Sequence, residues 1–118
     1  EYECFVNGQP VGSDLQEARG GWRSVEAYDI APLLKAGDNE IAIRAVNTDG
    51  PAGVLVEARI AAGGKPVQVL SGEGWEATAQ KPATWPAATA GAWSPVRVLG
   101  APPVAPWGEG LMVTPGAR

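Results

Sequence analysis

The sequence contains no histidine and only one cysteine. Without an imidazole there is no Ser-His-Asp triad, no imidazole general base and no histidine-ligated zinc or haem. A single cysteine forms no disulfide within the chain and cannot hold a thiolate metal site or an iron–sulfur cluster. We therefore expect no cofactor, and the composition favours a binding or structural module over an enzyme.

Positive charge is also scarce. The chain has 9 Lys+Arg against 13 Asp+Glu, which gives a formal net charge of −4. That balance disfavours the electrostatic capture of nucleic acid or of an anionic membrane surface. No run of 18 apolar residues occurs, so we expect no segment that spans a membrane. Neither nucleic acid nor membrane is an expected partner.

The 118 residues suffice for one domain, and their prolines are unevenly distributed. Seven of the 11 prolines lie from Pro82 onward, where Arg97, Glu109 and Arg118 are the only charged residues. This composition predicts extended, loop-dominated chain over the last third. We expect it to wrap a body formed by the first two-thirds.

Short alternating segments separated by turn residues predict an all-β fold. Asn7-Gly8, between two apolar runs, favours a type I′ hairpin. Apolar residues alternate again in two later segments and predict inward faces. Those two sets are Ile41, Ile43 and Ala45, and Val54, Val56, Ala58 and Ile60. Val25–Ile30 and Trp75–Ala79 are predicted as further strands. Helix is expected only in a turn near Pro32–Lys35, which Gly37 ends. The whole pattern indicates one antiparallel β-sandwich.

Several motifs together resemble a known family. They are Tyr2, Phe5-Val6-Asn7-Gly8-Gln9-Pro10-Val11-Gly12, Trp22, Tyr28-Asp29-Ile30-Ala31-Pro32-Leu33-Leu34-Lys35-Ala36-Gly37-Asp38-Asn39, Ile41, Ile43, Gly50-Pro51-Ala52-Gly53-Val54-Leu55, Gly74-Trp75, Ala92-Trp93 and Ala105-Pro106-Trp107-Gly108. The pattern resembles the galactose-binding-domain-like jelly rolls of bacterial glycoside hydrolases. It is similar to the sugar-binding domain of family 2 enzymes and to the N-terminal accessory modules of α-L-rhamnosidases.

The resemblance covers residues 2–108, and it implies a jelly-roll domain over 1–108 followed by a tail or linker at 109–118. It also implies an extracellular or periplasmic location beside a catalytic domain. In the family, further strands precede the one that ends in Asn7-Gly8, whereas here that strand starts at the first residue. We therefore expect an incomplete sandwich whose open edge, near Tyr2–Val6, is filled by a strand from a neighbouring domain or subunit.

Carboxylate, hydroxyl and thiol groups are the side chains that could carry chemistry. Glycosidases need a close carboxylate pair, but alternation predicts solvent-exposed positions for Glu57, Glu73 and Glu76. Asp29, Asp38, Asn39 and Asp49 are predicted to form turns, with Asp29 capping the turn around Pro32, and no metal site is expected. Ser71 and Ser94 are predicted turn residues, and Cys4 a buried, inert thiol.

The five tryptophans are the most informative residues, because sugar rings stack on aromatic faces while neighbouring polar groups bind their hydroxyls. Trp75, Trp93 and Trp107 match family positions that favour packing in the core. Trp22 and Trp85 lie in polar or uncharged loops and are expected to be more exposed. The candidate ligand-binding residues are therefore Trp22, Arg23, Asn47 and Trp85, and no catalytic residue is predicted.

Two functions stay open from the residues. The first is a non-catalytic, carbohydrate-binding-type module attached to a secreted polysaccharide-degrading enzyme, with a carbohydrate as partner. The second is a purely structural β-sandwich that packs against a catalytic domain or another subunit. An exposed Trp22 or Trp85 in a concave groove would favour the first, and a flat apolar patch would favour the second.

Overall fold

A computed structural model describes residues 1–13, 24–48, 50, 52–88, 91–101 and 112–113. Its nine strands are β1 (Tyr2–Val6), β2 (Gln9–Ser13), β3 (Ser24–Val25), β4 (Ile41–Ala45), β5 (Glu57–Ala62), β6 (Lys65–Leu70), β7 (Glu76–Ala77), β8 (Ser94–Pro95) and β9 (Met112–Val113). They form four small sheets, ordered β2-β1-β4, β3-β9, β5-β6 and β7-β8. The only helical element among the described residues is a 3-10 turn at Ala31–Leu33.

The three-stranded sheet is built on the predicted hairpin. Asn7 and Gly8 have φ of 50° and 78°, the positive values that a type I′ turn requires at both positions. The turn joins β1 to β2, and β1 also pairs antiparallel with β4, from Tyr2 opposite Ala45 to Val6 opposite Ile41. The expectation of an open edge at Tyr2–Val6 is therefore wrong, because β1 is the central strand.

Both faces of this sheet are covered. Residues opposite each other in an antiparallel pair share a face, so Val6 lies on the face of Ile41 and Ile43, and Phe5 on that of Ala42. Val6 is 1% exposed and Ala42 only 6%, although they occupy opposite faces. The predicted single inward face of β4 needs correction: Ile41 and Ile43 are half-buried, Ala45 is exposed, and the most buried side chain, Ala42, is on the other face.

β5 and β6 form a separate two-stranded ribbon closed by Gly63-Gly64. Side chains alternate between a half-buried face with Ala58, Ile60 and Val69 and an exposed face with Glu57 and Arg59. The predicted alternation is thus present within the strand. Val54 is 44% exposed, contrary to expectation, because it precedes the first paired residue and no sheet partner positions it.

The remaining pairs are two residues long, so several predicted strands are shorter than expected. β7 and β8 pair antiparallel, which shortens the Trp75–Ala79 prediction and places Ser94 in a strand instead of a turn. β3 and β9 pair in parallel, and β9 lies within the segment predicted as a tail. The expected strand over Val25–Ile30 ends at Val25 because the following residues cover the first sheet with their side chains.

A hydrogen-bonded loop leads from that covering segment to β4. Asp29 Oδ1 accepts from the Ala31 amide (3.1 Å), as predicted for a short side chain before Pro32. The Asn39 side chain then closes the turn after the 3-10 element, accepting from Lys35 N and donating to the carbonyls of Lys35 and Gly37. In the described ranges no helix is long and apolar enough to cross a membrane. The class is all-β with predominantly antiparallel strands, as the sequence predicts.

Candidate binding groove

A shallow, open groove of about 290 Å³ follows the β1–β2 pair. It is lined by Glu3, Cys4, Phe5, Pro10, Val11, Gly12 and Ser13. The strand register explains its position: Cys4 opposes Gly12 whereas Phe5 opposes Pro10, so Val11 is an extra residue without a partner in the ladder. Such a bulge bends its strand and re-aims neighbouring side chains.

Most of the polar groups at the groove share one face of the sheet. Glu3 opposes Ser13 on β2 and Arg44 on β4. The Arg44 Nη1 atom donates to Glu3 Oε1 at 3.3 Å, and the two side chains are 49% and 28% exposed. A carboxylate, a guanidinium and a hydroxyl-bearing residue therefore lie at adjacent register positions, available to a ligand with hydroxyl groups.

An aromatic pair adjoins the groove on the same face. The ring of Trp85 lies edge-to-face against Phe5, with centroids 5.5 Å apart and planes at 80°. Trp85 does not line the groove itself and meets it through Phe5. Its half-buried state corrects the expectation that it is exposed, because the contact with Phe5 covers part of the indole.

The segment that carries Trp85 forms a hydrogen-bonded turn and is tied by one further bond to the residue before β4. Trp85 N donates to Pro82 O at 3.1 Å, and Pro82 is buried. Farther on, the Ala88 amide donates to Glu40 Oε1 at 3.0 Å, directly before β4. These bonds position the Trp85 backbone, and the edge-to-face contact with Phe5 positions its indole beside the groove.

The opposite face holds a polar cluster that sequence reasoning missed. The hydroxyls of Tyr2 and Tyr28 are 2.6 Å apart, and Tyr2 also donates to Glu26 Oε2 at 3.1 Å. Burial first, and then the hydrogen bond with Tyr28, raise the pKa of Tyr2 far above its usual range. Burial likewise raises the pKa of the half-buried Cys4 thiol. The raised pKa keeps the Tyr2 hydroxyl neutral, which suits packing.

Of the four predicted ligand-binding residues, the structure describes Asn47 and Trp85. Trp22 and Arg23 lie outside the described residues. Asn47 is exposed beyond the Ala45 end of β4, where its Nδ2 atom donates to Gly50 O at 2.7 Å. Trp85 lies instead beside Phe5, which is paired with Ala42 near the Ile41 end of β4. Asn47 and Trp85 therefore lie beside opposite ends of β4.

The other candidate groups have plain structural roles. Glu57, Glu73 and Glu76 are exposed, as predicted. Trp75 and Trp93 are half-buried, whereas Trp107 and Asp49 fall in undescribed parts of the chain. Ser71 follows β6, and its Oγ atom accepts from Val56 N at 2.9 Å. Among the residues with defined positions, no three Cys, Asp or Glu side chains group closely enough to hold a metal ion.

What sequence reasoning missed here is Phe5, Glu3, Ser13 and Arg44, whose relation depends on strand register. A regular ladder from the Asn7-Gly8 turn would place Glu3 opposite Gly12, and the bulge at Val11 shifts it to a position opposite Ser13. Comparison of the chain with protein families, with curated proteins and with solved structures finds no match.

Proposed function

We propose that this chain is a non-catalytic, carbohydrate-binding-type accessory module of a secreted glycoside hydrolase. The observation that supports it is the groove at the β1–β2 bulge, whose lining residues Phe5 and Glu3 contact Trp85 and Arg44 beside it. Its volume of about 290 Å³ is close to the lower limit of small-ligand sites, ~300 Å³. One or two sugar rings suit that size.

The chemistry of the groove matches a saccharide in two respects. Aromatic faces contact the CH groups of a sugar ring, and Trp85 is held in place for such stacking. The Glu3 carboxylate accepts hydrogen bonds from hydroxyls, while Arg44 donates to them and holds the carboxylate in position. The proposal includes no catalysis, because the exposed Glu57, Glu73 and Glu76 lack the enclosed site that glycoside cleavage needs.

A titration of the 118-residue chain against a panel of glycans, followed by intrinsic tryptophan fluorescence, tests the proposal. We expect weak binding that neither chelator nor moderate salt changes. Trp85→Ala and Glu3→Gln should each weaken it about tenfold, whereas Trp75→Phe, in a tryptophan that does not line the groove, serves as the control. Binding that survives Trp85→Ala and Glu3→Gln unchanged would place the site elsewhere, at Trp22 and Arg23 or at Asn47.

A second candidate is a structural or interaction module that packs against a catalytic domain or another subunit. The observation in its favour is the small core: among the residues with described burial, the buried side chains are Val6, Ala42 and Pro82. Several large apolar side chains are exposed instead, namely Val54, Leu55, Val67, Leu70, Val98 and Leu99. Where such side chains are contiguous, they form the kind of surface that contacts another chain or domain. Absence of binding to every glycan would favour this candidate.

A further inference from the structure

The β5–β6 ribbon has two long edges, and they differ in their capacity to accept another strand. In an antiparallel ladder, backbone groups point alternately towards the partner strand and away from it. Ser71 N donates to Val56 O at 2.9 Å, so the backbone of Val56 points towards β6. By alternation the backbone groups of Glu57, Arg59 and Ala61 point away from β6 and form the outer edge of β5.

The outer edge of β6 is less suited to pairing. The same alternation directs Pro66, Gln68 and Leu70 outward on β6. Pro66 has no N–H, so the outer ladder would lack a donor there. Every outward residue of β5 keeps its N–H, and in the described part of the chain β5 pairs with β6 alone. The edge open to a further strand is therefore that of β5.

Charge along β5 selects both the partner and the register. Glu57 and Arg59 are two residues apart on the exposed face, and Arg59 Nε lies 2.7 Å from Glu57 Oε1. The Glu57 side chain is 46% exposed and the Arg59 side chain 80%. If a second β5 ran antiparallel with Ala58 opposite Ala58, each Glu57 would lie opposite Arg59 of the other copy. Neighbouring registers place Arg59 opposite Arg59 or Glu57 opposite Glu57, which like-charge repulsion disfavours.

The apolar face is self-complementary in the same register. Val56 would lie opposite Ile60 of the second copy, and both residues are half-buried in the single chain. The outward backbone groups of Glu57 and Arg59 would form the ladder, with about four hydrogen bonds around the two-fold axis. Such an isologous contact closes on itself, as in most symmetric dimers.

From the edge, the charges and the apolar pairs we infer that a second copy of this chain pairs with β5 in an antiparallel, two-fold symmetric sheet centred on Ala58. The inference rests on the interaction role proposed above and names its partner. It is independent of the groove beside Trp85.

Sedimentation equilibrium of the full chain in about 0.15 M salt, which screens the repulsion between two chains of net charge −4, tests the inference. We expect a mass of twice the 12.1 kDa chain. Arg59→Glu should weaken association about tenfold, because it turns two attractive cross-strand pairs into repulsive ones. The charge-swapped double variant Glu57→Arg with Arg59→Glu should restore it.

A disulfide test reads the register directly. In a Cys4→Ala background, Ala58→Cys places two thiols at the two-fold axis in a non-hydrogen-bonded pair, about 4.5 Å apart at Cα and within the disulfide range. We expect rapid oxidation to a covalent dimer. Val69→Cys, on the same ribbon face but in β6, is the matched control and should oxidise at least about tenfold more slowly.

A wild-type chain that stays monomeric at all concentrations would overturn the inference. So would a dimer that Arg59→Glu leaves unchanged, or equal cross-linking at positions 58 and 69. Circular dichroism of each variant, together with recovery of the dimer in the double variant, separates lost pairing from lost folding. A monomer that still titrates with glycans would reject this dimer and leave the carbohydrate proposal intact.

Discussion

The ring of Tyr28 occupies the space that a side chain at Gly12 would need. A Cβ built at Gly12 would overlap Cε1, Cζ and the hydroxyl of Tyr28. Gly12 opposes Cys4 on the face of the sheet that also holds Tyr2 and Val6. Because Gly12 has no side chain, the segment after β3 lies directly on the sheet, and the Tyr28 hydroxyl is hydrogen-bonded to that of Tyr2.

Gly12→Ala should therefore destabilise the fold, by about 1–3 kcal/mol, the usual cost of overpacking. In a Tyr28→Ala background the same substitution should be neutral or stabilising by up to about 1 kcal/mol, because alanine suits a strand better than glycine. Urea unfolding of the four chains of this double-mutant cycle measures both effects. Equal costs in the two backgrounds would contradict the packing described for Tyr28.

Asn7 does more than form a turn, and its substitution should reveal this. Its Oδ1 atom accepts from Glu40 N, while Nδ2 donates to Leu33 O at 2.9 Å and to Asn39 Oδ1 at 2.8 Å. Asn7→Ala loses these bonds and strains the backbone at φ of 50°, so we expect a loss of about 2 kcal/mol or more.

Two matched variants separate the contributions that the Asn7 side-chain bonds and its backbone conformation make to the stability of the fold. Asn7→Gly keeps the backbone conformation and should recover about 1 kcal/mol of the loss in Asn7→Ala. Asn47→Ala, in an exposed turn with a bond to Gly50 O, should change stability by less than about 0.5 kcal/mol. Thermal unfolding checks the order. An Asn7→Gly variant as unstable as Asn7→Ala would show that backbone strain contributes nothing.

Local chemistry made part of this fold predictable. Positive φ at Asn7-Gly8, the short helical turn at Pro32 and the Asp29 cap each depend on a few adjacent residues, and each was expected. The burial of Ala42 was not, because it depends on what covers each face of the sheet. The Phe5–Trp85 contact and the Glu3–Arg44 pair bring together residues about 40 or more positions apart, which no short pattern specifies. The position of the groove depends on the register of β1 and β2, and among the residues at or beside it the sequence had indicated only Trp85 as a binding residue.

The contact between Phe5 and Trp85 should be measurable as a coupling energy. Phe5→Leu and Trp85→Leu each remove one ring of the pair, and their effects on stability should fall short of additivity by about 1 kcal/mol. Denaturant unfolding of the two single variants and the double variant gives this quantity. Strict additivity would show that the edge-to-face geometry contributes nothing beyond buried area.

Alkaline pH should destabilise the fold in two steps. The pKa values of Cys4 and Tyr2 are both raised in the folded chain, chiefly by burial. Unfolding exposes a thiol with a pKa of about 8.5 and a phenol with one of about 10. For each group the unfolded state therefore loses its proton first as pH rises. The contribution of each group to the free energy of unfolding is complete below its pKa in the unfolded chain. It declines above that pKa, until the group also ionises in the folded chain.

The two steps are assigned by removing one group at a time. Cys4→Ala should abolish the decline in unfolding free energy between about pH 8.5 and 10, and Tyr2→Phe should reduce the steeper decline above about pH 10. Tyr2→Phe also removes the bonds to Glu26 and Tyr28, so its stability at pH 7 should be lower by about 1 kcal/mol. Urea unfolding at a series of pH values measures both slopes. Cys4→Ala and Tyr2→Phe curves that run parallel to the wild type would mean that neither group is desolvated by folding.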